Sequence, residues 1–228
     1  MSTSRLLSLF ALVALTACGG GGGTDFSTSP SAPAPAPTPI PPAPYATCSD
    51  AGRAVAAAST ATNTVCMLTT QGEIVVELYA DKTPITVANF LQYVAAKRYD
   101  NTLYHRVVKG FVVQGGGYAT DGTAIATYPM IAIEADKGLS NVRGTIAMAR
   151  LASANPDTAT NQFFFNTVDN SACLDRGPKT NGCDPAGYAV FGKVIAGLDT
   201  LDKIEAVPVY STGLPQTRVV TYWAEQLK

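Results

Sequence analysis

The chain has 228 residues, 46% of them hydrophobic and 14% charged, with a formal net charge of −1, so one large domain or two small ones are possible. Sixteen Lys and Arg against seventeen Asp and Glu leave no basic excess, which argues against a nucleic-acid partner. The one histidine, His105, excludes a multi-histidine metal site and would have to serve in any catalytic triad.

The chain opens with a short positive stretch, Met1 to Arg5, followed by a largely apolar run over residues 6–17. That run falls short of the about 20 residues of a membrane span but suits the core of a signal peptide. It ends in Leu15-Thr16-Ala17-Cys18, which resembles the lipobox of bacterial lipoproteins. The resemblance implies that residues 1–17 are removed and that Cys18 is acylated as the mature N-terminus. Two or more acyl chains would hold the protein stably on a bilayer. Gly19 follows the cysteine, and the absence of Asp there implies the outer membrane, with the protein on its periplasmic face at the cell envelope.

Five glycines, Gly19 to Gly23, come next, but no strand precedes them and no Lys-Ser/Thr follows, so they do not form a phosphate loop. Between Pro30 and Pro44, eight of fifteen residues are proline. Such a segment cannot pack a core and prefers an extended form of about 3.1 Å per residue, a reach of roughly 45 Å. Residues 18–45 are therefore read as a lipidated tether, and residues 46–228 as the folded domain.

Of five cysteines, setting Cys18 aside leaves Cys48, Cys66, Cys173 and Cys183. An exported chain sits where disulfides persist. Three pairings are possible, and the local one, Cys48–Cys66 with Cys173–Cys183, is expected. Neither pair has the close spacing of a zinc site, so no metal is expected.

Within the domain, residues 65–70 and 73–79 flank Gln71-Gly72 and read as a β-hairpin. Thr83 and Pro84 open a helix as N-cap and first residue. Its apolar residues Val87, Phe90, Leu91 and Val94 share one face, and Lys97-Arg98 near its end complements the dipole. Short apolar runs follow at 103–108, 111–114, 129–134, 145–150, 162–166 and 188–194. A second helix is expected over 198–205 and a last strand over 218–224. Many short strands with helices between them suggest a closed barrel rather than a parallel sheet.

Three features stand out among these runs. Arg106 lies in an alternating strand, Phe111 to Gln114 follow a tight Lys109-Gly110 turn, and a separate strand carries Gln162 to Asn166. An Arg beside amides and aromatics describes an apolar pocket with a few fixed polar groups. No G-x-S-x-G or paired carboxylates accompany it, and a hydrolase built on His105 would lack a nucleophile. His105 itself reads as structural, because alternation turns it to the face opposite Arg106. The residues alone leave the ligand open.

The segment Tyr104-His105-Arg106-Val107-Val108-Lys109-Gly110-Phe111-Val112-Val113-Gln114-Gly115-Gly116 resembles the cyclophilin signature F-H-R-V-x-x-G-F-x-x-Q-G-G. Gly144 to Arg150, Asn161 to Asn166, and Tyr188 to Val194 with Gly197-Leu198-Asp199 resemble three further blocks, in the family's order. The resemblance covers about residues 65 to 225 and is nearest to the exported bacterial members. It implies a mainly β fold, a closed eight-stranded antiparallel barrel capped by two helices. It also implies peptidyl-prolyl cis/trans isomerase activity on proline-containing polypeptides, without a cofactor. By the same resemblance Arg106 is the catalytic residue. Phe111, Val112, Phe164 and Leu174 form the apolar pocket, and Gln114 bonds the substrate backbone and positions the Arg. Ala149, Arg150 and Gln162 bind the residues before proline, and Tyr188 closes the rim. A cyclophilin-fold chaperone with incidental catalysis is the alternative, and the chain is expected to be a monomer. Cys173 replaces a pocket-edge aromatic and Arg150 an Asn of other members, which argues against strong cyclosporin binding. If bridged to Cys183, Cys173 would make the 175–187 loop a stiff wall near the pocket.

Overall fold

The turn at Gln71-Gly72 folds strand Asn63–Thr69 (β1) back on Gly72–Leu78 (β2), with Thr69 paired to Gly72. Thr69 fixes this turn through its hydroxyl, which donates to the Gly72 carbonyl at 2.8 Å and accepts from the Gln71 N–H at 3.0 Å. The computed structural model describes residues 39–151, 153–179 and 182–228. The expected signal peptide, Cys18 and most of the tether lie outside them.

Six further strands complete the sheet: Thr102–Val108 (β3), Val112–Ala119 (β4), Thr145–Met148 (β5), Phe163–Asn166 (β6), Val190–Ala196 (β7) and Val220–Gln226 (β8). They close into a barrel in the order β1-β2-β7-β5-β6-β4-β3-β8, every pair antiparallel. The expected strand over 129–134 does not form. Pro129 has no N–H to give a ladder, and the segment makes a single bridge, Ile131 to Ala159.

Helices Pro84–Ala95 (α2) and Leu198–Glu205 (α4) correspond to the two expected from the sequence. Phe90, Tyr93 and Val94 of α2 and Leu201 and Ile204 of α4 join the barrel interior, where they meet Val65, Ile74, Val113, Phe163, Phe165 and Phe191. Thr83 precedes α2 but its side chain does not cap it. The cap comes from Glu134, 48 residues on, whose carboxylate accepts from the Thr86 N–H at 2.8 Å and hydroxyl at 2.7 Å. A buried carboxylate is favourable there because it meets orphan N–H groups and the positive end of the helix. Lys97 and Arg98 lie beyond the helix end. Arg98 stacks over Tyr128 at 4.1 Å and donates to the Ala126 carbonyl instead.

Two helices have no counterpart in the sequence reading. Asp50–Ala58 (α1) is capped by Ser49, whose hydroxyl accepts from the Gly52 N–H at 3.0 Å. It lies on the outer face of β1 and β2, stapled by the Cys48–Cys66 disulfide, with Ala56 and Val75 in the same cluster. Ser171–Leu174 (α3) is a single turn leading to Cys173, which is bridged to Cys183. Both disulfides have the pairing expected from the sequence.

Gly116 holds φ +77°, and a side chain on it would collide with the Phe163 and Tyr99 rings. Tyr99 and Phe163 use that gap to stand edge to face at 5.3 Å.

Candidate active site

Strand alternation breaks at one place in β3. Tyr104 and Val107 are both buried in the barrel core although three residues apart, and pairing jumps from Tyr104↔Gly115 to Arg106↔Gln114. Two residues therefore oppose one, which makes a β-bulge at His105. Both His105 and Arg106 are left half-buried outside the core. The expected opposition of these two side chains gives way to this bulge.

On the outer face the register lines up one row across five strands. Arg106 on β3 opposes Gln114 on β4, Gln114 opposes Phe164 on β6, Phe164 opposes Ala147 on β5, and Ala147 opposes Val190 on β7. Strand spacing puts Arg106 about 10 Å from the Phe164 backbone, two strands away. A guanidinium from the polar end of this row can reach over an apolar floor at the other.

That floor is a cluster of Val112, Ala147, Phe164, Leu174 and Val190, with Phe111, Leu139, Ala149, Cys173 and Tyr188 packed against it. Tyr188 stands edge-on to Phe164 at 5.6 Å. Buried asparagines hold the floor from behind. Asn170 Nδ2 donates to the Phe111 carbonyl and to Asn166 Oδ1, both at 2.8 Å. Asn141 Nδ2 donates to the Leu174 and Tyr188 carbonyls at 3.1 and 3.2 Å.

The polar end is a chain of amides. Arg106 Nη1 donates to Gln114 Oε1 at 3.4 Å, and Gln114 Nε2 donates to Gln162 Oε1 at 2.8 Å. Beside this chain lies His105, edge-on to the Tyr118 ring at 4.8 Å. Burial holds its imidazole below the ordinary histidine range, and the nearby Arg106 charge acts in the same direction. The nearby Leu103 backbone and Gln162 side chain oppose that shift.

A cleft of about 250 Å³ opens next to the floor, lined in part by Gln114, Met130, Ala149, Arg150, Leu151 and Gln162. Arg150 lines it, but only 1% of its side chain is exposed. The guanidinium turns into the protein: Nε donates to the Gly187 carbonyl at 2.9 Å, and Nη2 lies 2.6 Å from Asp184 Oδ2. What this segment offers a ligand is its backbone and the apolar Met130 and Leu151, which are 57% and 61% exposed. Met130 and Leu151 were not among the expected site residues. The break in hydrophobic pattern at Pro129 and the residue next to Arg150 are their only sequence traces.

The structure thus packs Phe111, Val112, Phe164, Leu174, Ala149 and Tyr188 into one apolar cluster, the candidate slot for a ring, with Arg106, Gln114 and Gln162 along one edge. Nothing in that set is a nucleophile held by a base. The arrangement can grip an apolar ring and aim a charged donor across it.

The family described as cyclophilin type peptidyl-prolyl cis-trans isomerase matches residues 64–223, nearly the whole barrel and all of the candidate slot. A peptidyl-prolyl cis-trans isomerase of Acinetobacter baylyi is 46% identical over 165 residues, covering 72% of this chain and 84% of that one. Peptidyl-prolyl cis-trans isomerase A of Dickeya dadantii is 43% identical over 176 residues, covering 75% and 88%. Among solved structures, a Cryptosporidium parvum cyclophilin crystallised in the presence of the dipeptide Ala-Pro has a TM-score of 0.58 at 28% identity, covering 71% of this chain and 96% of that one. Barrel order, slot and sequence therefore agree that this chain belongs to the cyclophilin-type peptidyl-prolyl cis-trans isomerases.

Proposed function

We propose that the slot seats the proline ring of an exported polypeptide and that Arg106 lowers the barrier to rotation about the preceding peptide bond. An X–Pro bond rotates over tens to hundreds of seconds because amide resonance sets a barrier of about 18–20 kcal/mol. Resonance is lost in the twisted state, and the proline nitrogen gains a free lone pair. A donor aimed at that lone pair binds the twisted state more tightly than the planar one, and this difference is catalysis. No bond of the chain breaks, so no nucleophile takes part. A guanidinium suits the task because it stays charged and presents a rigid fork.

The observation that carries this reading is the lateral row from Arg106 through Gln114 to Phe164. Gln114 holds the guanidinium through Oε1, while its own amide is fixed by Gln162. Phe111, Val112, Phe164 and Leu174 receive the ring, and Tyr188 closes the rim. The backbone of Ala149 and Arg150, with Gln162, lies along the residues before proline. Cys173 at the slot edge and the inward-turned Arg150 leave strong cyclosporin binding outside this reading.

The domain works as a monomer at the cell envelope, on the periplasmic face of the outer membrane, held by acylated Cys18 and the proline-rich tether. Support comes from the lipobox-like Leu15 to Cys18 and from two disulfides, bonds that persist in oxidising compartments.

A protease-coupled assay on an Ala-Pro peptide tests the reading. It predicts isomer exchange by the wild type, and a chain that leaves the peptide at its uncatalysed rate would refute it. Incorporation of a labelled fatty acid by the wild type but not by Cys18→Ala tests the anchor; equal labelling of both would refute it.

A further inference from the structure

Arg150 is a cation with almost no access to water, and such a charge is costly unless it is paired. Its contacts join pieces of chain far apart in sequence. Nη1 donates to the Leu151 carbonyl at 3.1 Å, in the segment that lines the cleft. Nε reaches the Gly187 carbonyl, and Nη2 pairs with Asp184. The guanidinium carbon stands 4.8 Å over the Tyr188 ring.

Those partners are themselves fixed. The Cys173–Cys183 bridge joins the neighbour of Leu174 to the neighbour of Asp184. The Tyr188 N–H donates to the Leu174 carbonyl at 2.9 Å. Gly187 holds φ +69°, and a side chain there would strike the Arg176 backbone, so the loop lies too close at this point for any other residue. The Ala186 N–H and the Arg150 guanidinium keep the Asp184 carboxyl below the usual carboxylate range. The disulfide sets Asp184, Asp184 sets Arg150, and Arg150 touches both the cleft strip and the slot rim.

We propose that Arg150 is a positioning residue: with Asp184 and the Cys173–Cys183 bridge it clamps Tyr188 and the 149–151 strip at a fixed spacing, and so sets affinity for the polypeptide rather than the rate of bond rotation. The inference rests on the isomerase reading of the slot. Without the clamp, Tyr188 and the strip must be ordered on binding, which weakens it. Arg106 stands on β3 at the other end of the row, where Gln114 rather than the clamp holds its guanidinium, so the rotation step is unaffected.

Kinetics of the full chain on a series of Ala-Pro peptide concentrations test this, with a thermal melt of each variant. Arg150→Met should raise KM about fivefold and leave kcat within about twofold, the pattern of lost uniform binding. Arg150→Lys should not rescue it, because one ammonium cannot replace a fork spread over several acceptors. Cys173→Ser with Cys183→Ser should raise KM as well. Adding Arg150→Met to that pair should raise it little further, since residues of one network do not add. If Arg150→Met does not fold, Asp184→Asn, on the more exposed partner, should give the same KM shift. A folded Arg150→Met with wild-type KM, a fall in kcat at constant KM, full rescue by Lys, or multiplying effects would each overturn the clamp. Wild type and Arg106→Ala run alongside. If these two do not differ, the isomerase reading fails and the clamp with it. If they differ and the clamp variants match wild type, the clamp alone fails.

Discussion

Arg106 and Gln114 stand opposite each other on β3 and β4, with Nη1 3.4 Å from Oε1. The amide of Gln114 has no freedom to turn away, because its nitrogen donates to Gln162 Oε1 at 2.8 Å. A flexible three-carbon arm is thereby aimed by a neighbour that is itself aimed.

Gln114→Ala should therefore lower kcat/KM about tenfold, roughly 1.4 kcal/mol of transition-state stabilisation, although Arg106 is untouched. Gln162→Ala should cost less, since it acts one hydrogen bond further from the guanidinium. Steady-state kinetics of both variants check the order of the effects.

His105 ties stability to pH. Its folded pKa lies below the ordinary value of 6.5, mainly through burial. The unfolded chain therefore binds the proton first as pH falls, and stability is lost on going down through 6.5 toward the folded value. Denaturant unfolding should show a lower midpoint at pH 5.5 than at pH 7.5. His105→Gln should flatten that difference. Turnover should stay level between pH 6 and 8, because no group assigned to the rotation step titrates there.

The Cys48–Cys66 bridge fastens α1 to the barrel far from the slot. Cys48→Ala with Cys66→Ala should cost about 3 kcal/mol of stability on the chain-entropy account of a loop this size. Urea unfolding measures the loss. Below the transition, kcat and KM should match the wild type, which sets this bridge apart from Cys173–Cys183.

The barrel was legible because its information is local. The hairpin around Gln71-Gly72 and the apolar stripe from Val87 to Val94 each specify one element, and the blocks from Tyr104 to Gly116 and from Asn161 to Asn166 carry the family pattern. What escaped the sequence depends on partners distant in the chain. The α1 segment Asp50 to Ala58 is rich in alanine and has no apolar stripe, so its pattern did not mark a helix. Strict alternation put His105 opposite Arg106, whereas the bulge is set by the pairing of β3 with β4. Glu134 acts as the cap of α2 only because residues 129–134 run past the helix start as irregular chain. Phe111, Val112, Phe164, Leu174 and Tyr188 were found as a slot by resemblance, and the fold does place them together. Arg150 was read as part of the substrate strip; the direction of its guanidinium depends on the loop that carries Asp184 and Gly187.

A guanidinium that favours the twisted peptide bond over the planar one should matter to turnover and not to ground-state binding. The direct measurement compares kcat and the Kd of an Ala-Pro dipeptide in the wild type, Arg106→Ala and Arg106→Lys. Arg106→Ala should lose at least about tenfold in kcat, with Lys recovering only part, while the dipeptide Kd stays within about twofold. A folded Arg106→Ala chain that keeps wild-type kcat, or loses dipeptide affinity in step with kcat, would contradict the account.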